Sequence, residues 1–506
     1  MSARGLAGAV ARLEGRLPAR GLDALLLIGA GALSGFTLLR GISPHDEGLM
    51  LQAAARMAGG EMPYRDFWWN YGPGQPLVLA GLFKAFGPSL LTWRLLRLAT
   101  DAVVAVLAYR LVRRSAPPPY ALGAWLAVAG AMAFPSGPGP NPPALLLTLA
   151  GVLLARRSAL AAGALAGLAA LFRPELGVAA ALAVALAAGR AGAARALAAS
   201  VVAALLAFLP FALAAGPLDL VESTFGFATG EQDLQRLPFP LVYEGGPDPN
   251  KVLEFYFPAI LIAGFAAWSA TAIRSRPPLL ALAPLPLAFA GVVYLLGRAD
   301  EFHLVPLSVA LALLLAIGAA REAGHGHRRA GVVLLGFLVL IGGHGLVRRA
   351  GQALHPPRLA ELRLPAADGV RARPQDATAL RALRADLDAR VPAGRPLFVA
   401  NPRHDLVRAG HTLLYVLLDR PNATRYDVMQ PGVVTTVEVQ QEIVGDLERE
   451  RPPVIVRWLD PTASRPEPNG AGRSSGVRIL DGYLNGRYRE ARRFGAYALL
   501  ERRDGR

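Results

Sequence analysis

The sequence predicts a mostly α-helical membrane protein, a polytopic transmembrane bundle followed by a small C-terminal α/β domain in water. Three observations lead to this fold class. Of the 506 residues, 53% are hydrophobic and only 18% are charged, whereas about a quarter of the residues in a soluble protein are charged. The apolar residues fall into blocks of about 15 to 22, long enough for a helix to span the hydrocarbon layer. From about Pro356 onward, charged residues recur every few positions.

The chain divides into three predicted regions: a cytoplasmic N-terminal segment (1–21), a transmembrane module (22–349) and a soluble extracytoplasmic domain (350–506). The first apolar block has no convincing small-residue cleavage site, so it is predicted to be a retained helix and not a signal peptide. The segment before it is basic, with Arg4, Arg12, Arg16 and Arg20.

About eleven apolar stretches have the length of membrane spans. Their boundaries are soft by several residues, and the three short helices between 143 and 190 could also be counted as two. The predicted spans are 22–40, 90–111, 119–135, 143–155, 158–172, 176–190, 194–216, 253–273, 277–297, 303–320 and 329–347.

The arginines predict the orientation of these spans. Cytoplasmic loops are enriched in Lys and Arg, and with a cytoplasmic N-terminus every second loop is basic. The loops on the other side are acidic or mixed, including 135–143 and the long loop 217–252 with Glu222, Glu231 and Arg236. The basic loops carry Arg113, Arg114, Arg156, Arg157, Arg190, Arg195, Arg274, Arg276, Arg321, Arg328 and Arg329.

The formal charge of +16 therefore comes largely from loops beside apolar blocks, and it does not predict nucleic-acid binding. The sequence predicts a multi-pass protein of a bacterial-type inner (plasma) membrane, with the lipid bilayer as a partner. There is no cysteine, so disulfides play no part.

The first extracytoplasmic loop, residues 41–91, holds the most informative polar residues. A connection of about 50 residues is long. Residues 47–57 predict an amphipathic helix in the membrane interface, and residues 75–86 predict a second short helix. Asp46 and Glu47 follow the first span, where either could simply cap a helix. An aromatic and charged cluster separates the two helices: Tyr64, Arg65, Asp66, Phe67, Trp68, Trp69, Asn70 and Tyr71.

This ordered set of motifs resembles the GT-C superfamily of membrane glycosyltransferases, most of all the protein mannosyltransferase and aminoarabinose transferase branch (glycosyltransferase family 39-like). The resemblance covers about residues 22–115 and continues as general architecture through the other spans. The residues that carry it are His45-Asp46-Glu47-Gly48, Pro63-Tyr64-Arg65-Asp66-Phe67, Gly72-Pro73-Gly74, Phe86-Gly87 and Arg94.

The resemblance implies an enzyme of the cell envelope that uses a sugar donor carried on a polyprenyl phosphate. It implies transfer on the extracytoplasmic side, usually with inversion, to an acceptor that the sequence does not identify: a protein, a lipid or a polysaccharide. By the same resemblance, Asp46 would be the general base and Glu47 its neighbour in the site. Asp66 would be a second acidic residue facing donor or acceptor, with Tyr64 and Arg65 beside it.

Cations to stabilise a departing phosphate are predicted on other loops of the same face. Arg173 and Glu175 lie between two apolar blocks, and Arg298 and His303 lie at the edge of another. Ionisable residues at such depth usually face a cavity or a partner. The competing interpretation is structural: a snorkelling arginine, an ion pair of Arg173 with Glu175, or a packed histidine.

Metal dependence is left open by the sequence. Asp46 and Glu47 offer hard oxygen ligands that suit Mg²⁺ or Mn²⁺, and some relatives in the superfamily use a metal while others do not. No phosphate-binding glycine loop followed by Lys and Ser or Thr is present, which fits a lipid-linked donor better than a nucleotide sugar.

The C-terminal domain is predicted to alternate strands and helices. Strand-like runs occur at 396–400, 453–458 and 497–501, and helical runs occur at 376–390 and 437–449. Acceptor recognition is the predicted role of this domain, because it lies on the same side as the loops above.

Two other function classes compete with the glycosyltransferase. A transporter or flippase for a lipid-linked or hydrophilic substrate is the first, although internal repeats and polar residues at mid-membrane, which are typical of transporters, are not evident. A non-catalytic scaffold for envelope assembly is the second. Loss of transfer on replacing Asp46 would separate the enzyme from both.

Overall fold

The computed structural model describes residues 19–133, 139, 141–226, 234, 236–300 and 302–503. Arg4, Arg12, Arg16 and Glu231 lie outside this part, as does much of the loop 135–143. The helices before residue 355 are α1 (Ala19–Gly35), α2 (Asp46–Ala58), α3 (Gly74–Phe86), α4 (Leu90–Arg113), α5 (Pro118–Met132), α6 (Asn141–Leu154), α7 (Ala159–Phe172), α8 (Pro174–Ala188), α9 (Arg190–Ala215), α10 (Pro217–Val221), α11 (Pro249–Ser275), α12 (Leu279–Leu282), α13 (Leu285–Gly297), α14 (Leu304–Gly324) and α15 (Arg328–Leu354).

Each apolar stretch predicted to span the membrane overlaps a helix, but five helices of the described part are long and apolar enough to cross it. These are α9, α11, the α12–α13 pair, α14 and α15. Helix α4 has the length but carries Arg94, Arg97 and Asp101 within it, and α6, α7 and α8 are apolar but shorter. The multi-pass architecture is therefore present, while the count of eleven spans stays a prediction.

The C-terminal segment, residues 355–503, contains a four-stranded sheet. Its strands follow the order β3 (Phe398–Ala400), β4 (Val454–Trp458), β6 (Tyr497–Arg502) and β5 (Tyr488–Phe494), in which β3 pairs parallel to β4 and the other pairs are antiparallel. The predicted strands and helices are confirmed, and the polar edge strand β5 was missed. The elements are β1 (Ala360–Glu361), β2 (Arg371–Ala372), α16 (Pro374–Arg390), β3 (Phe398–Ala400), α17 (Leu413–Leu418), α18 (Val437–Glu450), β4 (Val454–Trp458), α19 (Ile479–Arg487), β5 (Tyr488–Phe494) and β6 (Tyr497–Arg502).

The first loop and the C-terminal segment share one continuous apolar core. The Leu413 N–H donates to the Pro44 carbonyl at 3.0 Å, and the Trp68 N–H donates to the Arg425 carbonyl at 2.9 Å. A Cβ on Gly48 would lie only 2.3 Å from the Leu413 nitrogen, so glycine is needed where α2 meets α17. We call the end of the bundle that carries these two parts the loop face.

Helix α2 differs from its prediction. Nine of its thirteen residues are buried, because α3 packs on it from one direction and α17 from another. An isolated interfacial helix would expose its polar face to water, whereas α2 is enclosed in the shared core. Its placement in the membrane interface stays a prediction. Trp69 is likewise fully buried in the shared core.

Candidate active site at the loop face

Asp46 and Glu47 are neighbours in sequence but have opposite surroundings. Glu47 is fully buried, and its two carboxylate oxygens accept hydrogen bonds from Arg94 Nε and Nη2 at 2.7 and 2.9 Å. Asp46 is exposed and makes no hydrogen bond or ion pair with a described residue. Successive residues of a helix point about 100° apart, so one turn of α2 can bury the second carboxylate and leave the first in water.

The Glu47–Arg94 pair fixes the start of α2. Arg94 also donates to the carbonyls of Leu38 and Gly41 at 2.8 and 2.7 Å, and Glu47 accepts from the Ser43 N–H at 3.2 Å. The pair therefore links the segment after α1 to both α2 and α4. Because Asp46 directly precedes Glu47, the pair also fixes the position of Asp46.

Helix capping does not account for Asp46. Helix α2 begins after His45, and no side chain caps it. Asp46 lies in the first turn, where a negative charge is favourable next to the helix dipole, but its carboxylate accepts no backbone N–H of a described residue. The carboxylate is therefore available to a ligand.

Tyr64, Arg65 and Asp66 build a turn. Tyr64 has a φ of 71°, an uncommon conformation for a residue with a side chain, and its hydroxyl donates to the Tyr71 carbonyl at 2.6 Å. Asp66 accepts from the Met62 N–H at 2.7 Å and pairs with Arg65 at 2.7 Å. Asp66 also lines a cleft of about 540 Å³ between the first loop and the C-terminal segment. The hydrogen bonds and the ion pair of these three residues thus stabilise the turn itself.

The Gly72-Pro73-Gly74 motif packs closely against the backbone at the end of α7. An added Cβ at Gly72 would lie 2.3 Å from the Leu171 carbonyl oxygen, and one at Gly74 would lie 2.9 Å from the same atom. Only glycine lets this backbone approach the end of α7, which leads directly into Arg173. The motif thereby brings Tyr71 to Arg173.

Replacing Gly72 by Ala is expected to lower both stability and activity, because the new methyl group meets backbone that cannot move aside. We expect a loss of about 1–3 kcal/mol in the free energy of unfolding, measured by thermal unfolding in detergent. The matched control is Gly81→Ala on α3, where a Cβ meets nothing within 4 Å and the better helix propensity of Ala should stabilise slightly. Equal unfolding temperatures for the two variants would contradict this account.

Arg173 and Glu175 form the ion pair that the structural interpretation predicted. Arg173 Nε donates to Glu175 Oε1 at 2.6 Å, and its guanidinium carbon lies 4.8 Å from the ring centre of Tyr294. Arg173 is buried to about nine-tenths. A guanidinium has five N–H donors, so the ion pair with Glu175 does not by itself use all the hydrogen-bond donors of Arg173.

Arg298, Asp300 and His303 form a second group at the same face. Arg298 Nε donates to Asp300 Oδ2 at 2.5 Å, and His303 Nδ1 lies 2.5 Å from Asp300 Oδ1. Burial alone would raise the pKa of Asp300, but the hydrogen bond to His303 and the charge of Arg298 lower it to about 2. Asp300 is therefore a carboxylate at neutral pH.

Tyr71 connects Asp46 with the cations. Burial raises the pKa of the Tyr71 hydroxyl and the charge of Asp46 raises it further, whereas Arg173 and Arg298 oppose both effects. Charges act on the pKa of a hydroxyl in this way when they lie near it, so the three charged groups surround Tyr71. The structure therefore brings Asp46, Arg173 and Arg298 together at the loop face.

Sequence reasoning missed three polar residues of the loop face. Gln75 is 1% exposed, and neither atom of its side-chain amide has a partner among the described residues. Its position directly after Gly72-Pro73-Gly74 was a usable signal. Arg408 and Glu467 come from the C-terminal segment, and nothing in their local sequence marks them.

A shared divalent ion does not fit the two adjacent carboxylates. Both oxygens of Glu47 are engaged by Arg94, which leaves Asp46 as the single free carboxylate of the pair. In the part of the chain that the structure describes, no cluster of three or more His, Asp or Glu side chains could hold a metal ion.

Comparison with solved structures identifies the fold. The chain superposes on ArnT from Cupriavidus metallidurans, solved with bound undecaprenyl phosphate, with a TM-score of 0.55 and 16% identity over 96% of this chain and 98% of that one. It has the GT-C fold. This result confirms the fold that the resemblance implied.

Two further GT-C structures match less well. They are AglB from Archaeoglobus fulgidus, in complex with an inhibitory peptide and a dolichol-phosphate (TM-score 0.48, 12% identity, 96% of this chain, 75% of that one), and the arabinofuranosyltransferase AftD from Mycobacteria (0.46, 15%, 96% and 40%). No protein-family model and no curated protein matches the sequence.

Proposed function

We propose that this chain is a membrane glycosyltransferase that moves a sugar from a polyprenyl-phosphate donor to an acceptor at the loop face. One observation carries the proposal: Asp46 is an exposed carboxylate without a hydrogen-bond or ion-pair partner among the described residues, beside a buried Glu47 that pairs with Arg94. The bound undecaprenyl phosphate of the similar ArnT structure supports the choice of donor.

Asp46 acts as the general base in this proposal. Its carboxylate takes the proton of the acceptor hydroxyl, the acceptor oxygen bonds to the anomeric carbon, and the bond from that carbon to the phosphate oxygen breaks. Attack from the face opposite the phosphate inverts the anomeric centre. A carboxylate that is exposed and free of ion pairs is available for this proton transfer, which is typically worth about 10²- to 10⁴-fold in rate.

Arg173, Arg298 and Gln75 are the proposed contacts of the departing phosphate. The electron pair of the broken bond stays on that phosphate, whose growing charge needs donors already in position. Gln75 lies in the first turn of α3, where backbone N–H groups and the helix dipole also favour an anion. The most specific support for this placement is the buried Gln75 amide, which has no hydrogen-bond partner in the described part of the chain.

We further propose that the loop face is extracytoplasmic and that the bundle has about eleven spans in the inner membrane. The arginines of the opposite end support this orientation: Arg114 lies close enough to Arg156 and Arg157 for their charges to repel, and Arg321 donates to the Ser275 carbonyl at 3.4 Å. Basic clusters of this kind mark cytoplasmic ends.

Native mass spectrometry of the detergent-extracted protein tests the donor class. We expect a co-purified polyprenyl phosphate or its sugar adduct, and transfer of that sugar in vesicles that contain the lipid, assayed with added Mg²⁺ and with EDTA to settle metal dependence. Passage of the intact lipid-linked sugar across the vesicle without transfer would instead indicate a transporter, and the absence of any bound lipid carrier would contradict the proposal.

A further inference from the structure

Glu467 of the C-terminal segment lies between two arginines from distant parts of the chain. Arg298 Nη2 donates to Glu467 Oε2 at 3.2 Å, and Arg408 Nε donates to Glu467 Oε1 at 2.6 Å. Arg298 follows α13 in the membrane module, whereas Arg408 lies in the loop after β3. Glu467 is thus shared by two guanidinium groups, of which that of Arg298 also pairs with Asp300.

The backbone around this cluster is held by the sheet. The loops that carry Arg408 and Glu467 leave the carboxyl ends of β3 and β4, which are parallel neighbours. They are joined by the Arg408 N–H to the Ala463 carbonyl at 2.8 Å and the Gly472 N–H to the Val407 carbonyl at 3.3 Å. The carboxyl edge of parallel strands is the usual ligand-binding edge of α/β sheets.

The two arginines lie beside the proposed base. Burial lowers the pKa of His45, and although Asp46 opposes this effect, the charges of Arg408 and Arg298 add to it. His45 directly precedes Asp46, so both cations act at the start of α2. The cluster therefore belongs to the surroundings of the site and is not a remote surface pair.

Arg408 retains hydrogen-bonding capacity. Its Nε donates to Glu467, while its two terminal nitrogens have no acceptor among the residues that the structure describes. The Arg408 side chain is 37% exposed and that of Glu467 is 13% exposed. A phosphate could engage both guanidinium groups in bidentate fashion, whereas the single carboxylate engages Arg408 through one nitrogen.

We propose that Arg298 and Arg408 form a binding site for a phosphate-type anion of the substrate, and that Glu467 occupies this site while no substrate is bound. The anion displaces Glu467 and binds the nitrogens of both guanidinium groups that Glu467 releases, while Arg298 keeps its bond to Asp300. No bond is made or broken, so Glu467 acts as an internal competitor. The inference deepens the proposed function, since it makes the C-terminal segment part of substrate binding.

The test is anion binding to the full-length protein in detergent, measured by calorimetry with two probes, inorganic phosphate and undecaprenyl phosphate. Glu467→Gln keeps the shape of the side chain and removes its charge. We expect the Kd of at least one probe to fall by about tenfold, the effect of losing one charge-assisted hydrogen-bonded competitor. A purely structural Glu467 predicts the opposite, because Arg408 would lose its carboxylate partner and the loops that Glu467 joins would loosen.

A second variant covers the case in which Glu467→Gln does not fold. Arg408→Gln, at a half-exposed position, should weaken anion binding and cancel the gain of Glu467→Gln in the double variant. Arg403→Gln is the matched control, because Arg403 lies in the same loop but pairs with Asp405, and it should leave both Kd values unchanged. Unaltered affinity in Arg408→Gln overturns the proposal.

The two probes separate the sources of the anion. A gain with undecaprenyl phosphate assigns the site to the donor, and a gain with inorganic phosphate alone assigns it to an acidic acceptor. No gain with either probe in a folded Glu467→Gln protein overturns the proposal. Because binding is measured without sugar transfer, this result does not depend on whether Asp46 proves to be the base.

Discussion

Replacing Asp46 by Asn is expected to lower the rate of sugar transfer by about 10²- to 10⁴-fold, the usual contribution of a general base. Asparagine has nearly the same shape but cannot accept the proton of an acceptor hydroxyl. Because the Asp46 carboxylate has no partner among the described residues, its loss should leave the fold unchanged. The measurement is the initial rate of transfer in vesicles, with thermal unfolding of the same sample.

Asp368→Asn is the control for this experiment, since Asp368 is an exposed carboxylate of the C-terminal segment. It should keep full transfer activity. If the Asp46→Asn variant retained most of its transfer activity, Asp46 would not be the base. Such a result would favour the transporter and scaffold interpretations. Binding of undecaprenyl phosphate should survive in Asp46→Asn, because Asp46 is not among the proposed phosphate contacts.

The largest expected effect on stability comes from the buried pair of Glu47 and Arg94. Arg94→Met leaves the Glu47 carboxylate buried without a counter-charge, which typically costs about 3–5 kcal/mol. It also leaves the Leu38 and Gly41 carbonyls without their donor. We expect the variant to be poorly inserted or to unfold at a much lower temperature, measured by yield and by thermal unfolding in detergent.

Two comparisons distinguish a buried ion pair from a generally sensitive position. The double variant Glu47→Gln with Arg94→Met removes both charges and should be more stable than Arg94→Met alone. The exposed pair of Arg65 and Asp66 should tolerate Arg65→Met with a change of about 1 kcal/mol or less. If Arg94→Met and Arg65→Met were equally stable, the structural role of the buried pair would be refuted.

The secondary structure followed closely from local sequence patterns, because the length of an apolar block and the alternation of a strand are properties of neighbouring residues. The strand predicted at 453–458 corresponds to β4 (Val454–Trp458), and the helix predicted at 437–449 corresponds to α18 (Val437–Glu450). The polar strand β5 has no such pattern. It forms a strand because β6, its partner in the hairpin, supplies its hydrogen bonds.

The site was predictable only in part. The acidic pair and Arg173 were visible because charged residues stand out against apolar blocks. The sequence did not show that Glu47 is buried and paired while Asp46 is exposed. This difference depends on Arg94, which lies 47 positions after Glu47 in the chain. The Glu467 contacts depend on even more distant residues, 59 and 169 positions away, and no local pattern encodes them.

The shared core has a consequence for biogenesis. Residues 41–91 are made early in synthesis, but the strands and helices that complete their core lie beyond residue 355. At about 5–20 residues per second, the ribosome needs roughly 15–60 s to make the intervening stretch. During that interval the nascent loop has exposed apolar side chains and an unfinished core. The loop is therefore vulnerable to proteases and to aggregation until the C-terminal segment has been made and has packed on it.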